Sequence, residues 1–470
     1  MLFNSLQFFL FFPIVTVMYF LLPHKFRWFL LLAASCYFYM VFKPIYILIL
    51  AVTIVVDYYA GLWIEGAQGT HRKWLLTLSV CVNVGFLAFF KYWNFINDNI
   101  THLLGFAHVE NQLPYLEILL PIGLSFHTFQ AMSYTIEVYR GNQKAEKHFG
   151  IYALYVMFYP QLVAGPIERP QNVLHQFHEE HSFNYTDFVE GIKRMLWGLF
   201  KKVVVADNLA RFVDFCYDNP NDHSPMSLIF ATVFFSAQIY CDFSGYSDIA
   251  LGSAQSMGFK LMTNFKLPYI SQNISEFWSR WHISLSTWFR DYLYIPLGGN
   301  RVKKSRWYMN LMIVFLVSGL WHGANYTFII WGALHGLYLI VGILTTDFQK
   351  KYLPRFAHHL FTIILVMFAW IFFRAKSFEL SKQIITHSLD VIHVGMSGFT
   401  SDLSVFGPGI FLVLLFLLLV FFSIDQFVSK VLDHERTISA NKSMILFASL
   451  MAMLLIFGFY GQTQFIYFQF

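Results

Sequence analysis

Long apolar runs recur along the whole chain, from residues 8–22 to residues 444–460, and they constrain the fold more than any other feature. Hydrophobic residues make up 57% of the chain and charged residues only 13%, more apolar surface than a soluble protein of this size can hide. Several runs fall short of the roughly 20 residues of an unassisted span. The pattern predicts an all-α polytopic membrane protein with roughly ten to twelve transmembrane helices plus re-entrant or interfacial helices.

The chain contains no low-complexity linker or internal repeat, so we expect a single membrane domain over residues 1–470. No basic residue precedes the first apolar run, and His24, Lys25 and Arg27 follow it without a small-residue cleavage site. These features predict a retained first helix rather than a signal peptide.

Basic residues collect in patches between the apolar runs, where they indicate the cytoplasmic side rather than nucleic-acid contacts. From the patch at residues 301–306 the next helix would run outward, which places His322 roughly 24 Å along it, in the outer half of the membrane. The same rule predicts that the final helix leaves a tail segment, residues 461–470, on the outer face. A further cytoplasmic patch comprises Lys193, Arg194, Lys201 and Lys202. One patch disagrees with this scheme and would lie outside: Arg374, Lys376 and Lys382.

Residues 273–301 are rich in tryptophan and other aromatic residues at helical spacing. Asn273 and Glu276 have the spacing of a capping box, so we expect one helix with an aromatic face here. Its charged residues make it too polar to span lipid, which predicts an interfacial or re-entrant position. His282 within it is either a structural, hydrogen-bonded histidine or part of a site.

The triplet Trp321-His322-Gly323 ends one apolar run and precedes another. An ionisable side chain where the chain reverses within a bilayer indicates a functional site, although a buried structural histidine that stacks and bonds a carbonyl is the alternative. His335 would lie about 20 Å from His322 on a continuous helix and on a different face, so we expect it to pack or to line a path. No metal is expected, because the loop histidines lack a defined ligand pattern: His175, His178 and His181.

Several motifs together resemble the membrane-bound O-acyltransferase superfamily over most of the chain. They are Trp278-Ser279-Arg280-Trp281-His282 through Arg301, Trp321-His322-Gly323 with Trp331-Gly332 and His335-Gly336, Leu120-Pro121-Ile122-Gly123-Leu124-Ser125-Phe126, and Gly165-Pro166-Ile167-Glu168. The chain length and Trp370-Ile371-Phe372-Phe373-Arg374-Ala375 are most similar to the bacterial branch that contains the alginate O-acetyltransferase membrane subunit.

The resemblance implies that an acyl group, here from acetyl-CoA, passes from the cytoplasm through a membrane tunnel to an acceptor outside. The two marked histidines of the family map onto His282 and His322, and His322 matches the position regarded as catalytic. The closing residues Phe465, Tyr467 and Phe470 match an aromatic motif whose tyrosine carries the acyl group in related systems. From the pattern alone, an aromatic interface anchor is the structural interpretation of this tail.

These residue types suit the chemistry. A histidine with an ordinary pKa of about 6.5 can act as a base, and Tyr467, with an ordinary pKa of about 10, needs such a base to become a nucleophile. We therefore predict an O-acetyltransferase of the bacterial cytoplasmic (inner) membrane in which His322 is the base, His282 orients or assists, and Tyr467 receives acetyl. Donors that could steady the oxyanion are Asn325, Ser318, Trp281 and Trp321.

Since the chain has no sizeable soluble domain, we expect a periplasmic or extracellular acetyltransferase partner to move acetyl to a polysaccharide such as alginate. Residues that bind acetyl-CoA are not identified, and no permanently bound cofactor is expected. Two alternatives stay open. One is transfer of D-alanyl or another acyl group to a cell-wall polymer, and the other is a transporter or flippase, which also needs many apolar helices and a few intramembrane histidines.

Overall fold

A computed structural model of the chain describes residues 1–116, 121–461 and 465–466. Within those ranges the protein consists of helices and connecting turns, without strands. The helices of the first half are α1 (Leu6–Leu21), α2 (His24–Met40), α3 (Ile47–Gly66), α4 (Gly69–Leu87), α5 (Trp93–Phe106), α6 (Leu124–Arg140), α7 (Phe149–Met157), α8 (Tyr159–Leu162), α9 (Pro170–Val173), α10 (Tyr185–Leu199) and α11 (Asp207–Tyr217).

The remaining helices follow, and the first of them, α12, has 31 residues. They are α12 (Pro225–Gln255), α13 (Ile274–Arg280), α14 (Ile283–Phe289), α15 (Lys304–His322), α16 (Tyr326–Leu344), α17 (Thr346–Tyr352), α18 (Arg355–Arg374), α19 (Phe378–Leu389), α20 (Val391–Val394), α21 (Phe399–Phe406), α22 (Pro408–Leu432) and α23 (Ala440–Phe457).

Seven helical stretches in the described part of the chain are long and apolar enough to cross a membrane. They are Pro44–Gly66, Gly69–Phe106, Pro225–Gln255, Tyr326–Leu344, Arg355–Arg374, Pro408–Leu432 and Ala440–Phe457. Helix α1 is apolar but shorter. The all-α polytopic fold is therefore confirmed, while the count of ten to twelve transmembrane helices stays a prediction.

The described residues form two compact units, Met1–Met195 with Ile249–Met262 and Leu196–Asp248 with Thr263–Phe470. The expectation of a single domain over residues 1–470 stays a prediction.

In the first unit, α3, α4 and α6 pack around a buried carboxylate. Asp57 on α3 accepts hydrogen bonds from the Ser79 hydroxyl at 2.5 Å and from the Asn83 side-chain amide at 2.8 and 3.0 Å. The Ser79 hydroxyl also lies 3.1 Å from that of Thr135 on α6. Polar bonds between helices hold a membrane bundle together where lipid offers no other partner.

The second unit has a core made largely of aromatic side chains. Its buried rings come from several helices, so the core joins elements that are distant in sequence; they include Trp197, Phe212, Phe234, Trp281, Trp331, Trp370, Phe411 and Phe421. Aromatic residues bury large areas, and their edge-to-face contacts add stabilisation beyond that burial.

Lys201 and Lys202 differ from our expectation, because neither lies in a cytoplasmic loop. Both are buried in a π-helical segment, Phe200–Ala206, of the second unit. The Lys201 ammonium donates to Asp248 at 2.5 Å and to Ser244 at 2.9 Å. The rule that basic residues mark the cytoplasmic side concerns loops, so these two buried, paired lysines carry no information on orientation.

Candidate active site

His322 is the last residue of α15, at the point where the chain reverses into α16, as the sequence predicts. Asn325 begins the next helix, because its side-chain oxygen accepts the Thr327 N–H at 3.0 Å. Its side-chain amide donates to the carbonyl of Lys376 at 2.9 Å. Asn325, which we considered as an oxyanion donor, thus holds the turn after His322 in place.

His282 lies at a break between α13 and α14, so the expected single helix through this region is wrong. Its backbone is left-handed, with φ +42°, a conformation that is costly for a residue with a side chain. Asn264, from a distant part of the sequence, causes the restart. Its carbonyl accepts the Ile283 N–H at 2.9 Å and its side-chain oxygen accepts the Ser284 N–H at 3.3 Å.

The expected cap of this region is confirmed in part. Asn273 begins α13, and its side chain accepts the Glu276 N–H at 2.8 Å. The Glu276 carboxylate accepts the Gln272 N–H at 2.9 Å instead of the N–H of Asn273. Sequence spacing therefore locates the start of α13, while the distant Asn264 sets where the next helix, α14, begins.

The fold brings His282 and His322 together, with ring centroids 6.5 Å apart. His282 is 1% exposed and His322 is 5% exposed. Three rings pack around His322, namely Trp321 at 5.0 Å, Trp331 at 5.0 Å and Phe373 at 5.2 Å. An imidazole base in such an aromatic enclosure can accept and return a proton where water has little access, and a second imidazole can orient it.

Burial fixes the charge state of His282. It lowers the pKa of this imidazole from 6.5 to about 3, so His282 is neutral at physiological pH. A neutral imidazole has one nitrogen that donates a hydrogen bond and one that accepts. These properties suit a group that orients a neighbour or a substrate rather than one that carries positive charge.

His335 lies closer to the site than the sequence estimate implies. The Trp331 ring contacts both His335 at 4.9 Å and His322 at 5.0 Å, so one indole joins the two imidazoles. The Trp278 indole N–H donates to His335 Nδ1 at 3.2 Å. The estimate of 20 Å assumed a continuous helix, whereas the chain folds back between α15 and α16. His335 is therefore part of the wall of this site.

Two residues of the tail segment, Phe465 and Ile466, are buried in the second unit. Phe465 and Ile466 are 1% and 4% exposed. The expectation that the tail lies on the outer side of the membrane stays a prediction. The Phe465 ring lies 4.8 Å from Tyr246 and 5.7 Å from Phe243, and the Phe243 ring lies 4.6 Å from His282. One phenylalanine thus links the tail to the histidine pair. Tyr467 lies outside the described residues.

The loop histidines considered for a metal bind protein groups instead. His178 Nε2 lies 2.8 Å from the Glu146 carboxylate, and His181 Nε2 lies 2.9 Å from the carbonyl of Gln176. In the ranges that the structure describes, no three histidine, cysteine or acidic side chains form a group that could hold a metal ion.

Sequence reasoning did not show which rings enclose the histidines, although Trp278 and Phe373 lie in motifs that it singled out. Phe243, Trp278 and Phe373 come from three different helices, and nothing in the spacing of the chain indicates that they meet. The Trp331-Gly332 pair was a usable signal, because it follows the histidine triplet closely in an apolar run. Buried polar residues that reach the tail were also unassigned, above all Asp242.

The sequence profile of the MBOAT, membrane-bound O-acyltransferase family, matches residues 75–382. The chain is 43% identical over 390 residues to a probable alginate O-acetylase of Azotobacter vinelandii, covering 81% of this chain and 76% of that one. It is 39% identical over 455 residues to a probable alginate O-acetylase of Pseudomonas aeruginosa, covering 94% and 85%. It is also 37% identical over 406 residues to a peptidoglycan O-acetyltransferase of Helicobacter pylori, covering 80% and 76%.

The histidine pair, the helices long enough to span a bilayer and these similarities agree with one another. The chain belongs to the membrane-bound O-acyltransferase family and is a multi-pass membrane O-acyltransferase.

Proposed function

We propose that this protein takes acetyl from cytoplasmic acetyl-CoA and passes it through Tyr467 to an extracytoplasmic polysaccharide such as alginate, with a periplasmic or extracellular partner completing the transfer. One observation carries the proposal. Phe465, two residues before Tyr467 in the sequence, packs on Phe243, which packs on His282, and His282 adjoins His322. The names of the relatives, which concern O-acetylation of alginate or peptidoglycan, support the choice of acyl group and acceptor.

In the first step the Tyr467 hydroxyl attacks the thioester carbonyl carbon of acetyl-CoA, and His322 accepts its proton. The C–O bond forms, the oxyanion collapses, and the C–S bond breaks. The leaving thiolate takes the proton from His322 and departs as the free thiol. A positioned base is needed because the phenol is otherwise protonated near neutral pH.

In the second step an acceptor hydroxyl attacks the acetyl ester on Tyr467. The acceptor's proton passes to the tyrosine oxygen as the bond between acetyl and that oxygen breaks, so acetyl moves to the acceptor oxygen and the tyrosine hydroxyl is restored. His282, neutral and fixed by the turn at Asn264, orients His322 or the carbonyl in both steps. The aromatic wall excludes water, which would otherwise hydrolyse either ester.

Mass spectrometry of the purified protein after incubation with acetyl-CoA tests the relay. We expect one added acetyl group on Tyr467, and no such group in His322→Ala. A matched control is His393→Ala, which removes an exposed histidine of the same unit. If the protein transfers acetyl to its acceptor while Tyr467→Phe leaves the rate unchanged, the relay is refuted.

The same assay separates the two alternatives. D-alanyl or another acyl transfer would place that labelled group, and not acetyl, on the product when the corresponding donor is supplied. A transporter or flippase would move its cargo without forming any covalent adduct and would tolerate loss of the imidazole base. We favour acyl transfer over transport because the family similarity and the enclosed histidine pair both concern covalent chemistry. We favour acetyl as the acyl group because the relatives at 37–43% identity are named for O-acetylation.

A further inference from the structure

Hydrogen bonds fix the chain directly after α23 against another part of the second unit. After α23 ends, the Phe459 N–H donates to the carbonyl of Val203 at 3.0 Å, and the Asn208 side-chain amide donates to the carbonyl of Phe457 at 2.8 Å. Both partners lie in or next to the π-helical segment Phe200–Ala206. π-helical turns are rare in proteins, and those that occur are often found at functional sites. The segment Phe200–Ala206 places two buried lysines, Lys201 and Lys202, beside the chain that follows α23.

A buried ionic cluster contacts the backbone of Ile466. Lys202 Nζ is 2.6 Å from one carboxylate oxygen of Asp242 and 2.8 Å from Asp207. The second carboxylate oxygen of Asp242 accepts the backbone N–H of Ile466 at 2.8 Å. One ammonium is thus shared by two carboxylates. Asp242 therefore keeps an oxygen that can accept a hydrogen bond from a backbone N–H of the tail. Charge-assisted bonds of this kind are stronger than neutral ones.

The side chain of Phe465 contacts the turn of α12 that begins at Asp242. Phe465 packs on Phe243 and Tyr246, which are one and four residues beyond Asp242. Residues four apart share a helix face, so Asp242 and Tyr246 form a single contact surface for the tail. A backbone N–H buried in an apolar bundle is costly unless it finds an acceptor, and Asp242 supplies that acceptor.

We propose that Asp242, held by Lys202, is the anchor that fixes the register of the tail and so positions Tyr467 for transfer. Asp242 is a positioning residue, since it acts through the Ile466 amide. The inference rests on the proposed relay for its consequence in catalysis, while the anchoring itself does not depend on any chemistry.

Two kinds of variant separate the anchor from general damage to the fold. Ile466→Pro removes the donated N–H, and its ring also fixes φ and restricts the residue before it, while the lysine and both carboxylates stay intact. Ile466→Ala is its control, because it shortens the side chain and keeps the N–H. Asp242→Asn keeps the size of the acceptor side chain and removes its charge, while Lys202 retains Asp207.

The readout is a photo-cross-link from a benzophenone-bearing residue in place of Phe465, mapped by mass spectrometry of the full-length protein in lipid vesicles. We expect a cross-link to the turn at residues 243–246, with its yield reduced about tenfold in Ile466→Pro and Asp242→Asn and retained in Ile466→Ala. In variants with Phe465 intact, we expect kcat for acetyl transfer to fall by a similar factor, with KM for acetyl-CoA unchanged.

Unchanged cross-linking in Ile466→Pro and Asp242→Asn would overturn the anchor. Loss of the cross-link with a wild-type rate of acetyl transfer would support the anchor and refute the relay through Tyr467. The two proposals therefore fail separately.

Discussion

Gly319 of α15 and Gly332 of α16 lie back to back, so the two helices touch through their backbones. A Cβ atom on Gly319 would stand 2.2 Å from the carbonyl oxygen of Phe328 and 3.5 Å from the Gly332 Cα. A Cβ on Gly332 would stand 2.3 Å from the carbonyl oxygen of Phe315. Because His322 is one turn beyond Gly319, this close approach sets its distance from Trp331 and His335.

We expect Gly319→Ala to lower the free energy of unfolding by about 1–3 kcal/mol and to reduce acetyl transfer strongly, since the added methyl forces the helices apart. Thermal unfolding in detergent and the transfer rate measure the two effects. Gly342→Ala in α16 is the matched control, because nothing lies within 4 Å of its Cβ position. Equal behaviour of the two variants would show that the close approach is unimportant.

The left-handed backbone at His282 predicts an unusual order of stability among its variants. His282→Asn and His282→Val both remove the imidazole, so both should abolish transfer. Asparagine tolerates φ +42° and valine does not, so the valine variant should be less stable by about 1–2 kcal/mol. Chemical unfolding of the two proteins measures the difference. Equal stability would mean that the turn relaxes to an ordinary conformation.

The hydrogen bond from Trp278 to His335 predicts energetic coupling between these residues. Trp278→Phe removes the indole donor and leaves the Nδ1 acceptor of a fully buried imidazole unsatisfied, at a cost of about 1–3 kcal/mol. His335→Phe should cost a similar amount, and the double variant should cost less than the sum by about 1 kcal/mol. A double-mutant cycle of unfolding free energies measures this coupling. Additive effects would argue that the bond contributes nothing.

Much of this fold can be predicted from the sequence, because a bilayer requires long apolar helices to span it. Apolar runs predict the all-helical fold. The triplet Trp321-His322-Gly323 between two such runs predicts that His322 lies where the chain reverses from α15 into α16. Local spacing also locates Asn273 at the start of α13. These features depend only on neighbouring residues, which is why a single sequence suffices to find them.

The remaining features depend on residues that meet only in the folded chain. Helical periodicity continues through His282, yet Asn264 supplies the acceptors that restart the helix there. Lys202 resembles a loop residue in sequence and is buried because Asp207 and Asp242 neutralise it. The Ile466 N–H of the tail bonds to Asp242 of α12, a backbone contact that no pattern of side chains predicts.

Burial of a neutral His282 predicts how stability depends on pH. Its pKa is about 3 in the folded protein and 6.5 in the unfolded chain, so between these values the unfolded chain binds a proton that the native site does not. Stability therefore rises with pH across this window and falls as the solution is acidified below pH 6.5, by up to about 1.4 kcal/mol per pH unit. His282→Asn removes the titrating group and should flatten this dependence.

Unfolding free energies of both proteins at several values between pH 5 and pH 7.5 measure the difference. Because the other histidines are present in both proteins, their contributions cancel when the two curves are subtracted. The difference curve should be level above pH 7 and should slope only on the acid side. A parallel pair of curves would show that His282 is charged, or exposed to water, in the folded protein, and its role as a neutral orienting group would then be untenable.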